Sequence, residues 1–327
     1  MIDFEKTFRN CFRLSLAALL FASASQAMSG ELYKAESGPY EIEITDSVDV
    51  PVANQERRVA LRISHPSTFG AFPLVVFSHG AFCSIDGYSR VADHWASHGY
   101  VVILPAHLDS GALGRIGGDQ MNRIFLSRLA DMSAVLDALA LIEAEVPTLK
   151  GKIDSERVAS AGHSMGALVA TALTGLDILD PGGNPISFQD KRFDVSLLLS
   201  GPGPLPIIPE NAWSKLVLPT FVYTGTHDQT DMAGPTANWS WRLSTYRLTP
   251  PGDKYALVLS ESDHFFGNLI CPVQAQGGPD YEALTIVKST STAFLDSYLK
   301  GSTTARAFLR ENQVAKLTNG RAQLRFR

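Results

Sequence analysis

The chain has 327 residues, of which 45% are hydrophobic and 19% are charged, and its formal net charge is -5 at pH 7. This composition is typical of an ordinary globular protein with ample apolar material for a large core. The mildly acidic balance, without a basic block to neutralise phosphates, argues against a nucleic-acid-binding protein.

The N-terminal residues have the pattern of a secretory signal peptide. Basic residues precede the apolar run LSLAALLFAS at residues 14–23, and small residues lead up to Ala27. The run is too short to span a bilayer comfortably, so a cleaved leader is favoured over a membrane helix. We therefore predict cleavage after Ala27, a signal peptide at 1–27, a mature domain at 28–327, and a secreted or periplasmic protein without a transmembrane segment.

After the leader, strand and helix patterns alternate along the chain. YEIEITDSV and RRVALRISHP alternate in polarity and predict antiparallel edge strands. Later strands are predicted by apolar runs, which are FPLVVFSHG, YVVILPAH, RVASAGHS, FDVSLLLSG, LPTFVYTGTHD and KYALVLSES. Helices are predicted at YSRVADHWASHG, at NRIFLSRLADMSAVLDALALIEAEV as one long helix, at MGALVATALTGL and at EALTIVKSTSTAFLDSYLKG.

This order predicts an α/β doubly wound architecture, with a mostly parallel sheet and helices on both faces, in a single domain. The polar, basic residues at about 302–327 are expected to form a helical or frayed tail.

The stretch VASAGHSMGALVA contains the pattern Gly-x-Ser-x-Gly, centred on Ser164. The five letters alone are common enough to arise by chance. Here a predicted strand precedes the serine, a predicted helix follows it, and Gly162 and Gly166 leave room for a sharp turn. These are the requirements of a nucleophile elbow, so Ser164 is predicted to be a nucleophile.

A nucleophilic serine needs a base, which is itself oriented by an acid, and in this architecture the acid and then the histidine follow the serine along the chain. Two histidines follow it, His227 and His264. His227 is adjacent to Asp228, so their side chains point apart. We predict His264 as the base and Asp228 as the acid, with Asp231 and Asp263 as nearby alternatives for the acid.

The developing oxyanion needs backbone donors. One is the N–H of Met165, directly after the nucleophile. The other is expected in the loop SHGAFCS at residues 78–84, which we call the oxyanion loop. Ala81 is the first candidate and Phe82 the second. His79 is interpreted as fixing this loop by hydrogen bonding and not as a base.

The motifs PLVVFSHGAFCSIDGYSRVADHWASHGYVVILPAH, GHSMGA, PTFVYTGTHD and SDHFFG occur in the order and spacing of the α/β-hydrolase superfamily. The chain most resembles the branch of platelet-activating-factor acetylhydrolase-like and serine-type dienelactone-hydrolase-like proteins, with the cutinase-like polyester hydrolases as near relatives. The elbow ends in SMGA where many members have SMGG, which is a mild steric change.

The resemblance implies Ser164 as nucleophile, His264 as base and Asp228 as acid, with Ala81 and Met165 as oxyanion donors. It implies no cofactor and no metal, and the elbow lacks the cysteine of true dienelactone hydrolases.

The same layout gives the two cysteines of the mature chain a place. Cys83 lies just past the candidate oxyanion donors, and Cys271 lies seven residues after His264. The loops that carry the two cysteines converge at the carboxyl edge of the sheet. We predict a disulfide between them, and two free buried thiols are the alternative.

The expected activity is that of a secreted, monomeric serine carboxylic-ester hydrolase acting on short-chain, aryl or polymeric esters. The alternatives are a phospholipid acetyl-ester hydrolase, an acyltransferase with the same triad, and a binding protein on a hydrolase scaffold. Aromatic residues near the motifs either line an apolar substrate pocket or belong to the core; they are Phe82, Trp213, Trp239, Phe265 and Phe266.

Overall fold

The computed structural model describes residues 30–327 except 112, 114–120, 230–237, 272–277 and 312. Residues Leu32–Arg327 form one compact unit. The predicted signal peptide at 1–27 lies outside the described residues. Among the described residues, no helix is long and apolar enough to cross a membrane.

The strands and helices alternate along most of the chain. The strands are β1 (Ile42–Pro51), β2 (Arg58–Pro66), β3 (Phe72–Ser78), β4 (Val101–Pro105), β5 (Ile153–His163), β6 (Ile178–Leu179), β7 (Pro185–Ile186), β8 (Val195–Leu199), β9 (Thr220–Gly225), β10 (Lys254–Leu259) and β11 (Ala322–Phe326). The α-helices are α1 (Ser89–Ser97), α2 (Met121–Asp137), α3 (Leu139–Glu145), α4 (Met165–Leu173), α5 (Ser244–Leu248), α6 (Tyr281–Leu299), α7 (Thr303–Arg310) and α8 (Val314–Leu317).

Nine of these strands form one sheet in the order β1-β2-β4-β3-β5-β8-β9-β10-β11. The central strands from β4 to β10 pair in parallel, whereas β1, β2 and β11 pair antiparallel at the two edges. The prediction of a mostly parallel sheet is therefore confirmed. Because the parallel strands all end at the same edge, the loops that follow β3, β5, β9 and β10 meet there.

Helices cover both faces of the sheet. Alternate side chains of a strand point to opposite faces, and in β3 Leu74 and Val76 join the core cluster that packs against α2 and α4. The ring of Phe77 points the other way and packs against Trp95 of α1, with ring centroids 6.1 Å apart. Trp95 in turn donates a hydrogen bond to Ser291 of α6, at 2.9 Å. The doubly wound arrangement follows from this two-sided burial.

The single long helix expected after β4 is divided at Ala138, and this expectation is wrong. The backbone of Ala138 (φ -104°, ψ 11°) leaves the α-helical region between α2 and α3. Its N–H still donates to the carbonyl of Ala134, at 3.0 Å. Apolar spacing continues across this turn, which is why the sequence pattern does not mark the division.

The expectation of a helical or frayed tail is wrong for the last residues. After α7 and α8 the chain forms β11, which pairs antiparallel with β10. Ala322 and Leu324 of β11 are buried, and the strand covers the otherwise open edge of the sheet. The segment AQLRF alternates apolar and polar residues, which is typical of a strand. The charged residues around it favoured the prediction of a polar tail instead.

His94 of α1 makes the stability of the fold depend on pH. Burial, followed by the charges of Lys288 and His98, lowers the pKa of His94 to about 3. Between that value and about 6.5, the unfolded chain binds a proton that the folded chain excludes, so stability falls as the pH drops below 6.5. Acidification from pH 7 to pH 5 is expected to cost about 2 kcal/mol through this group alone.

This loss is measured by urea unfolding of the wild type and His94→Phe at both pH values. The variant should lose less stability on acidification, by about that amount. An equal loss in the two proteins would show that His94 is not the titrating group.

Candidate active site

Ser164 stands on the sharp turn between β5 and α4. Its backbone lies in the left-handed region (φ 55°), which is strained for a residue with a side chain. Its N–H donates a hydrogen bond to the carbonyl of Leu199, at 2.9 Å. A Cβ on Gly162 would lie 2.3 Å from the Gly166 carbonyl oxygen, and a Cβ on Gly166 would lie 1.9 Å from that of Ser78. The two glycines of the motif are therefore required by close backbone contacts, as in a nucleophile elbow.

The loops after β9 and β10 bring an acid and a histidine together. His264 Nδ1 lies 2.8 Å from Asp228 Oδ1, and the Asp228 side chain is completely buried while His264 is partly exposed. The structure pairs His264 with Asp228 and not with Asp263, whose Oδ1 accepts the N–H groups of Phe265 and Gly267, both at 2.9 Å. Asp231 lies outside the described residues.

The positive charge of Arg242 lies against the predicted acid, Asp228. Its Nε lies 2.6 Å from Asp228 Oδ1, and its Nη1 donates to the carbonyl of Ser200, at 2.7 Å. Burial alone would raise the pKa of Asp228, but His264 and Arg242 outweigh burial and hold this pKa below its usual value. Asp228 is therefore an anion in the folded protein. Nothing in the sequence singled out Arg242, which lies in a 3-10 helix at Trp239–Leu243.

His264 lies beside the elbow. Its ring packs on the ring of His163, the residue before Ser164, with centroids 4.5 Å apart. His163 Nε2 is 3.0 Å from the carbonyl oxygen of His264. The structure thus brings the three predicted residues to one edge of the sheet.

The predicted oxyanion donors differ in whether their N–H groups are free. The N–H of Phe82 donates to Asp109 Oδ2, at 3.1 Å, so Phe82 cannot also serve an oxyanion. Within the part of the chain that the structure describes, the N–H groups of Ala81 and Met165 form no hydrogen bond. Met165 is the first residue of α4, where the helix dipole favours negative charge.

Arg128, which the sequence did not single out, fixes the backbone of the oxyanion loop by hydrogen bonds. It is completely buried, and its Nε and Nη2 donate to the two carboxylate oxygens of Asp109, at 3.0 and 2.8 Å. It also donates to the carbonyls of His79 and Gly80. Burial alone would raise the pKa of Asp109, but Arg128 lowers it. Because these carbonyls turn toward Arg128, the loop is ordered before any substrate binds.

His79 has both ring nitrogens occupied. Nδ1 lies 2.7 Å from the Gly80 carbonyl oxygen, and Nε2 accepts the N–H of His107, at 3.2 Å. Burial, with the charge of Arg128, lowers the pKa of His79 well below its usual value. The imidazole is therefore neutral and holds the loop, in agreement with the interpretation from sequence.

The Cys83–Cys271 disulfide joins the oxyanion loop to the loop after His264. The two Cα atoms are 5.2 Å apart, across 188 residues of sequence, and the N–H of Cys271 donates to the carbonyl of Gly87, at 2.9 Å.

The double variant Cys83→Ala/Cys271→Ala is expected to lose about 2–4 kcal/mol of stability, because the unfolded chain is no longer constrained. Guanidinium unfolding without reductant measures this loss. A reductant should shift the wild-type transition toward that of the variant and leave the variant unchanged. Equal transitions for all samples would contradict a structural role for the bond.

The aromatic residues proposed for the substrate occupy different environments. Phe265 is half-buried and packs edge-on against the His264 ring, with centroids 4.8 Å apart, and Phe82 is half-buried in the oxyanion loop. Trp213 is only 4% exposed and belongs to the core cluster below α4. The structure therefore places Phe82 and Phe265 at the site, and Trp213 in the core.

An apolar cavity of about 370 Å³ opens beside α2 and the β6–β7 hairpin. Its apolar lining includes Phe125, Leu126, Ile186, Phe188 and Ile207. None of its described lining residues belongs to the loop at residues 78–84 or to the predicted triad. Among the described residues, no group of His, Cys, Asp and Glu is arranged to hold a metal ion.

Parts of the chain are similar to known proteins. The family model described as Chlorophyllase matches residues 32–181. Platelet-activating factor acetylhydrolase of Cavia porcellus is 26% identical over 274 residues, which cover 70% of this chain and 58% of that protein. Chlorophyllase type 0 of Chenopodium album is 27% identical over 146 residues, which cover 42% of this chain and 35% of that protein.

The chain thus spans 58% or less of the length of these curated relatives. With the sheet order described above, these similarities support the α/β-hydrolase fold, and the prediction of this fold is confirmed. At modest identity they also support the branch of platelet-activating-factor acetylhydrolase-like proteins.

Proposed function

We propose that this protein is a serine carboxylic-ester hydrolase with Ser164 as nucleophile, His264 as general base and Asp228 as the orienting acid. One observation carries the proposal: the buried Asp228 carboxylate is hydrogen-bonded to His264, at 2.8 Å, at the edge of the sheet where Ser164 stands on a strained elbow. The relatives named above are ester hydrolases, which agrees with this reaction class.

The reaction proceeds through an acyl-enzyme. His264 takes the hydroxyl proton of Ser164 as its Oγ attacks the ester carbonyl carbon, and the N–H groups of Ala81 and Met165 stabilise the oxyanion that forms. The oxyanion collapses, the bond to the alcohol oxygen breaks, and His264 returns its proton to the leaving alcohol. Water, deprotonated by His264, then attacks the acyl group, and collapse of the second intermediate releases the acid and restores the Ser164 hydroxyl.

Asp228 contributes without accepting the proton. Because it is ionised, its Oδ1 accepts a hydrogen bond from His264 Nδ1 and stabilises the imidazolium that forms during attack. Arg242 offsets the cost of burying this carboxylate, since an unpaired charge at this depth would be strongly unfavourable.

The substrates we propose are short-chain, aryl or polymeric esters, with phospholipid acetyl esters as the alternative. Phe82 and Phe265 are half-buried, and Phe265 packs edge-on against the His264 ring, so these two rings are the candidates for contact with the ester.

The proposal is tested by labelling the mature protein with a fluorophosphonate probe and assaying p-nitrophenyl esters of graded chain length. Labelling at Ser164 and hydrolysis of the p-nitrophenyl esters would support the proposal, and the dependence on chain length would define the acyl group that is accepted. Absence of labelling with a folded protein would favour a binding protein on a hydrolase scaffold. Parallel assays with a phospholipid acetyl ester, a polyester film and a competing alcohol acceptor distinguish the other substrates and acyl transfer.

We also propose that the protein acts outside the cytoplasm. The disulfide, which persists in oxidising compartments, supports this location together with the predicted leader. Fractionation of producing cells, with the mature N-terminus sequenced from each fraction, tests both points. Uncleaved protein confined to the cytoplasm would overturn them.

A further inference from the structure

A series of buried hydrogen bonds connects the oxyanion loop, which follows β3, with the loop after β10 that carries His264. The N–H of Gly80 donates to Tyr88 Oη, at 2.9 Å, and Tyr88 Oη lies 2.8 Å from His163 Nδ1. His163 Nε2 lies 3.0 Å from the carbonyl oxygen of His264. Tyr88 and His163 are both buried, with 0% and 1% of their surface exposed.

The direction of each bond follows from its ends. Gly80 contributes an N–H, so Tyr88 Oη accepts there and its own hydrogen is directed at His163 Nδ1. The carbonyl of His264 can only accept, so His163 Nε2 carries the hydrogen. His163 is therefore a neutral imidazole with one tautomer, and burial lowers its pKa well below the usual value.

The two loops that this series of hydrogen bonds connects are strained. Phe82 in one loop, and Phe266 and Cys271 in the other, have φ values of 59°, 50° and 42°. Backbone in this region persists only where its surroundings hold it. Gly80 allows the close approach, since a Cβ there would lie 2.8 Å from His163 Nδ1.

We infer that Tyr88 and His163 are positioning residues for the proposed reaction: they hold the oxyanion loop and His264 at a constant separation around Ser164. Among the described residues, neither side chain forms a hydrogen bond to a side chain of the predicted triad, although the His163 ring packs on the ring of His264. The inference rests on the proposed function, since it assigns a reaction-specific role to this series of hydrogen bonds. The disulfide joins the same two loops and is also buried, since Cys83 and Cys271 are 4% and 1% exposed.

Tyr88→Phe keeps the ring and removes the hydroxyl that both neighbours use. We expect kcat to fall by about 10- to 100-fold, because small misplacements of catalytic groups have effects of this order, with KM changed less than about threefold. Tyr223→Phe is the matched control. Its ring is also completely buried, and its hydroxyl bonds to Thr290 in α6, at 3.3 Å.

Both tyrosine variants should lose similar amounts of thermal stability, and the control should keep the wild-type kcat. If wild type neither hydrolyses esters nor reacts with the fluorophosphonate, the proposed function fails. If wild type is active and Tyr88→Phe has the kcat of the Tyr223→Phe control, the positioning role alone fails.

A second pair of variants tests His163 by conservative rescue. His163→Gln keeps a donor near the Nε2 position, whereas His163→Leu removes both polar ends. We expect the fluorophosphonate labelling rate to decrease from wild type to the glutamine variant and again to the leucine variant. Equal rates for the two variants would show that His163 only fills space.

Discussion

Ser164→Ala is expected to lower kcat/KM by about 10,000-fold or more for every ester that the wild type hydrolyses, because no other group can form the acyl-enzyme. The variant should fold normally, since the strained elbow accommodates the smaller alanine side chain and the N–H of residue 164 keeps its bond to Leu199. Rates on a p-nitrophenyl ester and the thermal midpoint measure the two effects.

Ser196→Ala is the matched control for loss of a hydroxyl. Ser196 lies in β8, and among the described residues its buried Oγ has no hydrogen-bond partner. The control should keep both its activity and its labelling by the fluorophosphonate probe. Residual activity of Ser164→Ala near the wild-type level, in protein free of contaminating esterase, would remove Ser164 from the reaction.

Arg128→Met is expected to destabilise the fold by about 3–5 kcal/mol, because it leaves the Asp109 carboxylate buried without its partner. The carbonyls of His79 and Gly80 lose their hydrogen bonds from Arg128 at the same time. Guanidinium unfolding measures the loss, and kcat of the folded fraction should also decrease because the oxyanion loop is no longer held.

Arg192→Met tests whether burial is the cause. Arg192 itself is 41% exposed and pairs with Asp137 and with Asp190, whose side chains are 52% and 12% exposed. Solvent reaches this arginine, and surface pairs contribute about 1 kcal/mol or less each. The double variant Arg128→Met/Asp109→Leu should recover part of the loss, since it removes the orphaned charge. A loss for Arg128→Met no larger than that for Arg192→Met would contradict the proposed cost of the unpaired carboxylate.

The sequence determined the architecture and the identity of the predicted triad. Buried strands read as apolar runs, and the order of strand, serine and helix around Ser164 is local information. The required order of acid and histidine then left few candidates after Ser164. Chain order could also suggest the cysteine pair, because loops after parallel strands meet at one edge of the sheet.

Local patterns failed where elements depend on distant partners. The strand β11 forms because β10 offers an open edge, and its charged neighbours concealed its alternation. Trp213 lies near a loop in sequence but packs into the core in space. The choice of Ala81 over Phe82 as the residue with a free N–H needed the position of Asp109, which is 27 residues away from Phe82.

What the sequence by itself determined is therefore the fold, the order of the motifs and the residue types of the proposed reaction. Only the tertiary structure showed which side chains fix the site residues in place. Arg242 pairs with Asp228 and Arg128 binds the oxyanion loop, while Tyr88 and His163 connect that loop to the loop of His264. The reason is physical. Hydrophobic periodicity and turn chemistry are properties of neighbouring residues, whereas buried hydrogen bonds and ion pairs join side chains that the fold brings together from distant segments.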